Sequence, residues 1–251
     1  MILARPPVGQ PPPMTTPIDP SQPAANTTQY QCRSLLNLYD SPELERLATQ
    51  AATGRYLRIL SPLELSDVAA VEVQLCEDDY SGWISVLDMP QLAIAPTPYQ
   101  PAILATADIQ ARIPAVIAFT QAAMNQPHEY LWGGTVGPNY DCSGLMQAAF
   151  AATGIWIPRD AYQQESFTQP VARQDLQPGD LIFFGSPQKA THVGLYLGHN
   201  RYIHSSGKDQ GHNGIAIDVL SSEGSAISQA YFAQLRQAGR VVASYQPTQT
   251  K

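Results

Sequence analysis

From residue 142 to residue 150, Cys142, Leu145, Met146, Ala149 and Phe150 recur at i, i+3, i+4, i+7 and i+8. That is the spacing of one buried face of an amphipathic helix. The helix is predicted to open at Asp141-Cys142-Ser143 and to stop at Gly154, a residue suited to the left-handed position past a helix end. An earlier helix is predicted from about residue 106, capped by Asp108 and carrying Ile109, Ile113, Val116, Ile117 and Phe119. It tolerates Pro114 only if that residue falls near its first turns. Beyond Leu176-Gln177-Pro178-Gly179-Asp180 the pattern becomes strand-like over 181–184, 191–197, 202–205, 215–219 and 241–245, with a helix over 225–238. Helices followed by an antiparallel sheet make an α+β domain. Upstream, short strand-like runs over 56–60, 70–75 and 83–86, separated by Ser, Pro, Gly and Asp, suggest a small β-barrel.

Composition divides the 251 residues further. Eight prolines fall between Pro6 and Pro23, so residues 1–28 read as a disordered tail that cannot bury a core. Residues 29–92 form the all-β module, 93–107 a Pro-rich linker, and 108–251 the α+β domain. No apolar run reaches the length of a membrane span, and no apolar segment near Met1 resembles a secretory signal. The expected location is therefore the cytoplasm. A net charge of −7 with only 14 basic residues argues against a nucleic-acid partner. Six of those seven charges lie in residues 30–92. Three cysteines cannot make a disulfide scaffold, and Cys32 and Cys76 read as buried packing thiols.

Cys142 carries the sharpest chemistry. At a helix start, free N–H groups and the macrodipole favour a thiolate, and the same N–H groups can hold an oxyanion. Gly144 then leaves backbone room for a substrate. His192 and His204 flank Gly198 symmetrically, so a hairpin turning about Gly198 sets them directly opposite on one face. One imidazole could take the thiol proton while the other orients it. The same spacing also fits two half-exposed strand histidines, or a zinc pair, although no carboxylate or cysteine stands beside them at ligand spacing. His128 and His199 read as exposed loop residues, and His212 as a minor residue of a Gly-rich loop.

In chain order the motifs are Tyr130-Leu131-Trp132-Gly133-Gly134, Asp141-Cys142-Ser143-Gly144, Leu176 to Phe184, Thr191-His192-Val193-Gly194-Leu195-Tyr196-Leu197-Gly198 and Tyr202-Ile203-His204-Ser205-Ser206. The set resembles an NlpC-type cell-wall cysteine peptidase over roughly residues 108–245. The resemblance implies a papain-like domain with Cys142 as nucleophile, His192 as base and His204 as the orienting group, and neither metal nor cofactor. Asp78-Asp79-Tyr80-Ser81-Gly82-Trp83 is similar to part of a bacterial SH3-type domain.

Together the two parts resemble the γ-D-glutamyl-L-diamino acid endopeptidases of murein peptides. That likeness implies that Tyr80 and Asp160 hold the free amine of an N-terminal L-Ala, and that Ser143 lines the subsite beside the nucleophile. It also implies a second acidic group on the SH3-type module, which no motif places; Asp79 is one candidate. Arg159 is matched to the α-carboxylate of D-Glu, because guanidinium pairs well with planar carboxylates. Arg159 and Asp160 would equally suit a cap and surface charges at a helix start after Pro158. The expected partner is a murein peptide, with diaminopimelate or lysine as the diamino acid, and neither nucleic acid nor membrane. The alternatives are a non-catalytic murein-peptide binding protein and a secreted hydrolase of intact peptidoglycan.

Overall fold

The computed structural model describes residues 28–60 and 69–248. The expectation of a disordered tail thus falls outside the described residues, Thr28 apart.

The N-terminal module is all β. Its strands are β1 (Gln29–Cys32), β2 (Leu36–Tyr39), β3 (Leu47–Ala51), β4 (Tyr56–Ile59), β5 (Ala70–Leu75), β6 (Ser81–Ser85) and β7 (Leu92–Ile94). They form one antiparallel sheet in the order β3-β2-β6-β5-β4-β1-β7. Alternation sends Tyr30, Cys32, Leu36, Leu38, Leu57, Ile59, Val71, Val73, Leu75 and Ile84 into a single core. Cys32 and Cys76 are buried free thiols, as packing residues should be.

The second domain is α+β: α1 (Thr106–Met124), α2 (Cys142–Ala151), α3 (Ala161–Phe167), β8 (Gln169–Val171), β9 (Leu181–Gly185), β10 (Ala190–Gly198), β11 (Arg201–Ser206), β12 (Gly214–Val219), α4 (Ala226–Phe232) and β13 (Leu235–Arg240). The six strands run in the order β12-β11-β10-β9-β13-β8, antiparallel throughout. Leu181 and Phe183 of β9 face α1 and α2, whereas Ile182 and Phe184 face Tyr231 of α4. Leu145, Met146, Ala149 and Phe150 are all fully buried, as the helical spacing predicts. Each large one contributes about 2 kcal/mol by leaving water. Among the described residues no helix is long and apolar enough to cross a membrane.

Some local expectations change and one holds. Helix α1 is preceded by Ala105 at its cap, with Asp108 inside the first turn, and Pro114 lies well within the helix. Ile109, Ile113 and Val116, packed on the sheet from both sides of the proline, hold that helix together. Helix α4 ends at Phe232, and the last strand is β13 rather than 241–245. The sequence Leu-Arg-Gln-Ala-Gly-Arg has no apolar alternation. It is a strand because β9 and β8 pair with it on both edges. Finally, Gly154 (φ +77°) does end α2, with the Ile155 N–H bonding back to the Phe150 carbonyl.

Polar contacts lock the two modules together. Gln50 of β3 exchanges hydrogen bonds with Thr135 and accepts the Val136 N–H, and Asp78 accepts Gln147 Nε2 of α2 at 2.7 Å. A Cβ at Gly133 (φ +79°) would lie 2.7 Å from the Leu47 carbonyl, so only glycine permits this approach. The module therefore forms one wall beside the start of α2.

Candidate active site

Cys142 is the first residue of α2, and Asp141 is its cap. Asp141 Oδ1 accepts the Gly144 N–H at 2.7 Å, and Oδ2 accepts the Gly133 N–H at 2.9 Å. The glycine at 144 has a reason other than room for substrate. A Cβ there would sit 2.0 Å from the Gly134 carbonyl, which itself accepts the Asp141 N–H. The cysteine loop and the Gly133-Gly134 turn thus fit only without that methyl.

Behind Asp141 stands Arg159, 2% exposed. Its Nη2 bonds Asp141 Oδ2 at 2.6 Å, Nη1 bonds Asp141 Oδ1 at 3.2 Å and Ser143 Oγ at 2.9 Å, and Nε bonds Thr49 Oγ1 at 2.9 Å. Burial opposes its charge, but Asp141 raises its pKa above the ordinary guanidinium value. The expectation that Arg159 meets a substrate carboxylate stands against these bonds: its fork is engaged by the helix cap, by Ser143 and by the SH3-type module, so it braces the site from the cavity wall.

The sulfur of Cys142 accepts backbone N–H groups from Ser143 and from Val193, the residue after His192 on β10. Burial pushes the Cys142 thiol up to about 12, and the Asp141 carboxylate adds to this, while those N–H groups and Arg159 oppose it. His192 moves the other way: burial, reinforced by His204, holds it well below the usual imidazole range. Both shifts disfavour the charged pair and so oppose the thiolate that a helix start alone suggests.

His192 and His204 do meet, but not in the expected register. Leu195 pairs with Ile203 and Tyr196 with Tyr202, then a bulge at Leu197 shifts the ladder so that Gly198 pairs with Arg201. The turn is His199-Asn200, both at positive φ (51° and 56°), rather than a turn centred on Gly198. Continuing that register sets His204 opposite Gly194, and His192 lies diagonally across. Gly194 is bare because a Cβ there would press on Tyr202 and His204. The diagonal contact is a 2.7 Å bond between His192 Nε2 and His204 Nδ1.

The chain continues beyond this pair. Asp218 of β12 accepts His204 Nε2 at 2.9 Å and His212 Nε2 at 2.7 Å, both on Oδ2, while Ser228 Oγ donates to Oδ1 at 2.8 Å. Burial alone would raise the Asp218 carboxyl, but these bonds outweigh it and hold it below the usual carboxylate range. An ionised carboxylate only accepts, so His204 carries its proton on Nε2 and offers Nδ1 to the Nε2–H of His192. The nitrogen left free on His192 is Nδ1. Tyr231 stacks on the His192 ring at 4.4 Å between centroids, and burial, with Cys142 nearby adding to it, raises its phenol pKa.

Sequence reasoning missed this carboxylate and gave His212 little weight. Strand alternation over 215–219 does put Asp218 on the polar face, but the pairing of Tyr202 with Asp218 and of His204 with Ala216 is a tertiary fact. His128 is half-buried rather than exposed, bonded to the Met124 carbonyl and the Ile215 N–H. His199 is exposed.

A cavity of about 360 Å³ opens over Cys142. Its lining brings Tyr80 and Asp40 of the SH3-type module to Ser143, Arg159, Asp160 and Tyr130 of the other domain. Tyr80 and Asp160 are close enough to interact, and burial raises the pKa of both, Tyr80 to about 12. Asp79, by contrast, turns away. Its Oδ2 accepts the Tyr245 hydroxyl and the Thr248 N–H, which leaves Asp40 as the acidic residue that this module adds to the cavity.

Comparison with known proteins agrees with this architecture. The NlpC/P60 family profile matches residues 127–236, and a bacterial dipeptidyl-peptidase SH3 domain profile matches residues 38–88. A Corynebacterium glutamicum (strain R) protein named "Probable endopeptidase" is 34% identical over 179 residues, covering 63% of this chain and 81% of that protein. The "Gamma-D-glutamyl-L-lysine dipeptidyl-peptidase" of Bacillus subtilis (strain 168) is 44% identical over 95 residues, 37% of this chain and 30% of that protein. A solved NlpC/P60 family protein from Bacillus cereus covers 86% of this chain and 64% of its own, with 23% identity and a TM-score of 0.44. The matched stretch is 23% of the length of the mycobacterial proteins named as probable endopeptidases. With the cysteine at a helix start, the histidines on the adjoining strands and an SH3-type domain ahead of them, the chain belongs to the NlpC/P60 family.

Proposed function

We propose that the protein is a cysteine endopeptidase that hydrolyses the γ-D-glutamyl–L-diamino acid bond of murein peptides bearing a free N-terminal L-Ala. The observation that carries this reading is the cavity itself. It joins Cys142 to two carboxylates, Asp40 and Asp160, and to Tyr80, and the SH3-type module forms part of its wall. Carboxylates on both sides of a pocket of this size suit a small ammonium group, with Arg46, which faces Asp40, and Lys189 as further charges in the lining. An L-Ala amine is free only on a peptide detached from its glycan, so the substrates are soluble murein peptides, as in wall recycling in the cytoplasm.

In the reaction, Cys142 Sγ attacks the γ-carbonyl carbon as its proton passes to His192 Nδ1. The resulting imidazolium is stabilised through His204 by Asp218. The Ser143 N–H, at the helix start, meets the developing oxyanion, and Tyr130 lines the same cavity. His192 then protonates the leaving amine of the diamino acid, and the tetrahedral adduct collapses to a thioester. Water, deprotonated by His192, cleaves the thioester to L-Ala-D-Glu and the free thiol.

Parallel assays of L-Ala-γ-D-Glu-diamino acid peptides with free and with acetylated N-termini test this reading. The free peptide should be cleaved and the acetylated one refused; equal rates would refute amine recognition. Cys142→Ala should abolish hydrolysis altogether.

A further inference from the structure

His204, His212 and Asp218 form a constellation beside the relay. Both Nε2 atoms lie against one oxygen of Asp218, and the three donor atoms fall within 4.8 Å of one another. Two imidazole nitrogens and a carboxylate oxygen are a donor set for a borderline cation of the zinc class. Ser228 Oγ, bonded to the other oxygen at 2.8 Å, fixes the carboxylate in the manner of a supporting outer ligand. The His204 and Asp218 side chains are 0% and 6% exposed, but that of His212 is 23% exposed, so a cation can approach from its side and keep water there. Tetrahedral zinc sets adjacent donors about 3.3 Å apart. The present contacts are hydrogen bonds of 2.7 and 2.9 Å. Both contacts end on Asp218 Oδ2, so a small retreat of that carboxylate, with His212 adjusting in the connection between β11 and β12, would open both gaps.

We propose that this trio is an inhibitory site for zinc or a similar divalent cation, and that its occupancy inverts the tautomers of the His204–His192 pair. A cation on His204 Nε2 needs the lone pair of that nitrogen, so the ring proton must move to Nδ1. His204 Nδ1 then donates to His192 Nε2 across the same 2.7 Å contact. His192 in turn must carry its proton on Nδ1, the nitrogen that served as base. His212 shifts its own proton to Nδ1, which faces away from Asp218. No proton is lost, and no bond breaks except N–H. The binding half of this inference is independent of the proposed reaction. The inhibitory half rests on His192 Nδ1 being the base.

The test uses the full chain. Zinc is titrated into the Cys142→Ala variant against a chromogenic chelator, and the same is done after adding His212→Gln, which keeps a donor for Asp218 but is a poor zinc ligand. One equivalent should bind, and His212→Gln should weaken it about tenfold or more. Equal binding with and without His212, or binding that vanishes with Cys142, would overturn the site. Cobalt(II) in the unsubstituted protein should show visible d–d bands without a sulfur-to-cobalt charge-transfer band; that band would put the metal on Cys142 instead. Nitrogen-15 histidine spectra of the Cys142→Ala variant should show the His192 proton moving from Nε2 to Nδ1 when zinc is added, and a fixed tautomer would refute the switch. In the active enzyme, the zinc concentration for half-inhibition should rise in His212→Gln by the factor seen in binding. A zinc-free protein that cleaves no murein peptide would sink the proposed function, while the titration would still decide the site.

Discussion

Replacing Arg159 separates a structural brace from a substrate ligand. Its four hydrogen bonds run to Asp141 twice, to Ser143 and to Thr49, with the side chain 1% exposed. Arg159→Met removes the charge and leaves Asp141 buried without its cation, which costs about 3–5 kcal/mol. Arg159→Lys keeps the charge but cannot span all four acceptors. Losing the bonds to two neutral hydroxyls costs about 1–3 kcal/mol. For a chain of this size each kcal/mol lowers Tm by roughly 2–4 °C. The methionine variant should therefore melt roughly 6–20 °C lower, and the lysine variant by a fraction of that. The kinetic half of the assay compares peptides containing D-Glu with peptides whose α-carboxylate is amidated. If Arg159 is a brace, wild type and Arg159→Lys discriminate between the two peptides by the same factor, even as both rates fall. A lysine variant with unchanged Tm and a collapsed discrimination would show that the guanidinium binds substrate after all.

Further outcomes follow from the same geometry. Gly144→Ala places a methyl 2.0 Å from the Gly134 carbonyl. The shift it forces should cost about 1–3 kcal/mol and should depress kcat; melting and initial-rate measurements that matched wild type would contradict the packing argument. Asp160→Asn removes a cavity carboxylate, so the ratio of kcat/KM for free over acetylated peptide should fall, whereas a constant ratio would take Asp160 out of amine recognition. Burial pushes the thiols of Cys32, Cys76 and Cys142 each up to about 12. Their stabilisation is complete below the unfolded thiol value of about 8.5 and is lost as pH rises beyond it. Each thiol lowers the unfolding free energy by about 1.4 kcal/mol per pH unit on that limb. Urea unfolding across the alkaline range should show this slope, and Cys32→Ala with Cys76→Ala should flatten it; an unaltered slope would mean that other groups set it.

Much of this protein is legible along the chain because the deciding physics is local. The apolar face of α2 follows from helical spacing, and the position of Cys142 at its start follows from Asp141, whose side chain caps the Gly144 N–H three residues on. The strand β9 follows from a short continuous apolar run, and β10 to β12 from their strand-forming residues and the turns between them. The candidate site was legible in its residue types, with Cys142, His192 and His204 named by motif and Tyr80, Ser143 and Asp160 lining one cavity together with Cys142.

What the chain alone could not state is who stands beside whom. One extra residue, Leu197, and a turn at His199-Asn200 set the His192–His204 contact on the diagonal, because a bulge changes register without changing alternation. Asp218 became the partner of His204, and Asp40 rather than Asp79 entered the cavity, through pairings of segments far apart in sequence. Burial likewise opposes the expected thiolate at Cys142, since a helix start favours a thiolate only while solvent or a cation shares the charge. Sequence thus determined the chemistry available and the elements that carry it. Tertiary structure decided its geometry and protonation, because register, burial and the company of a carboxylate are properties of the packed fold.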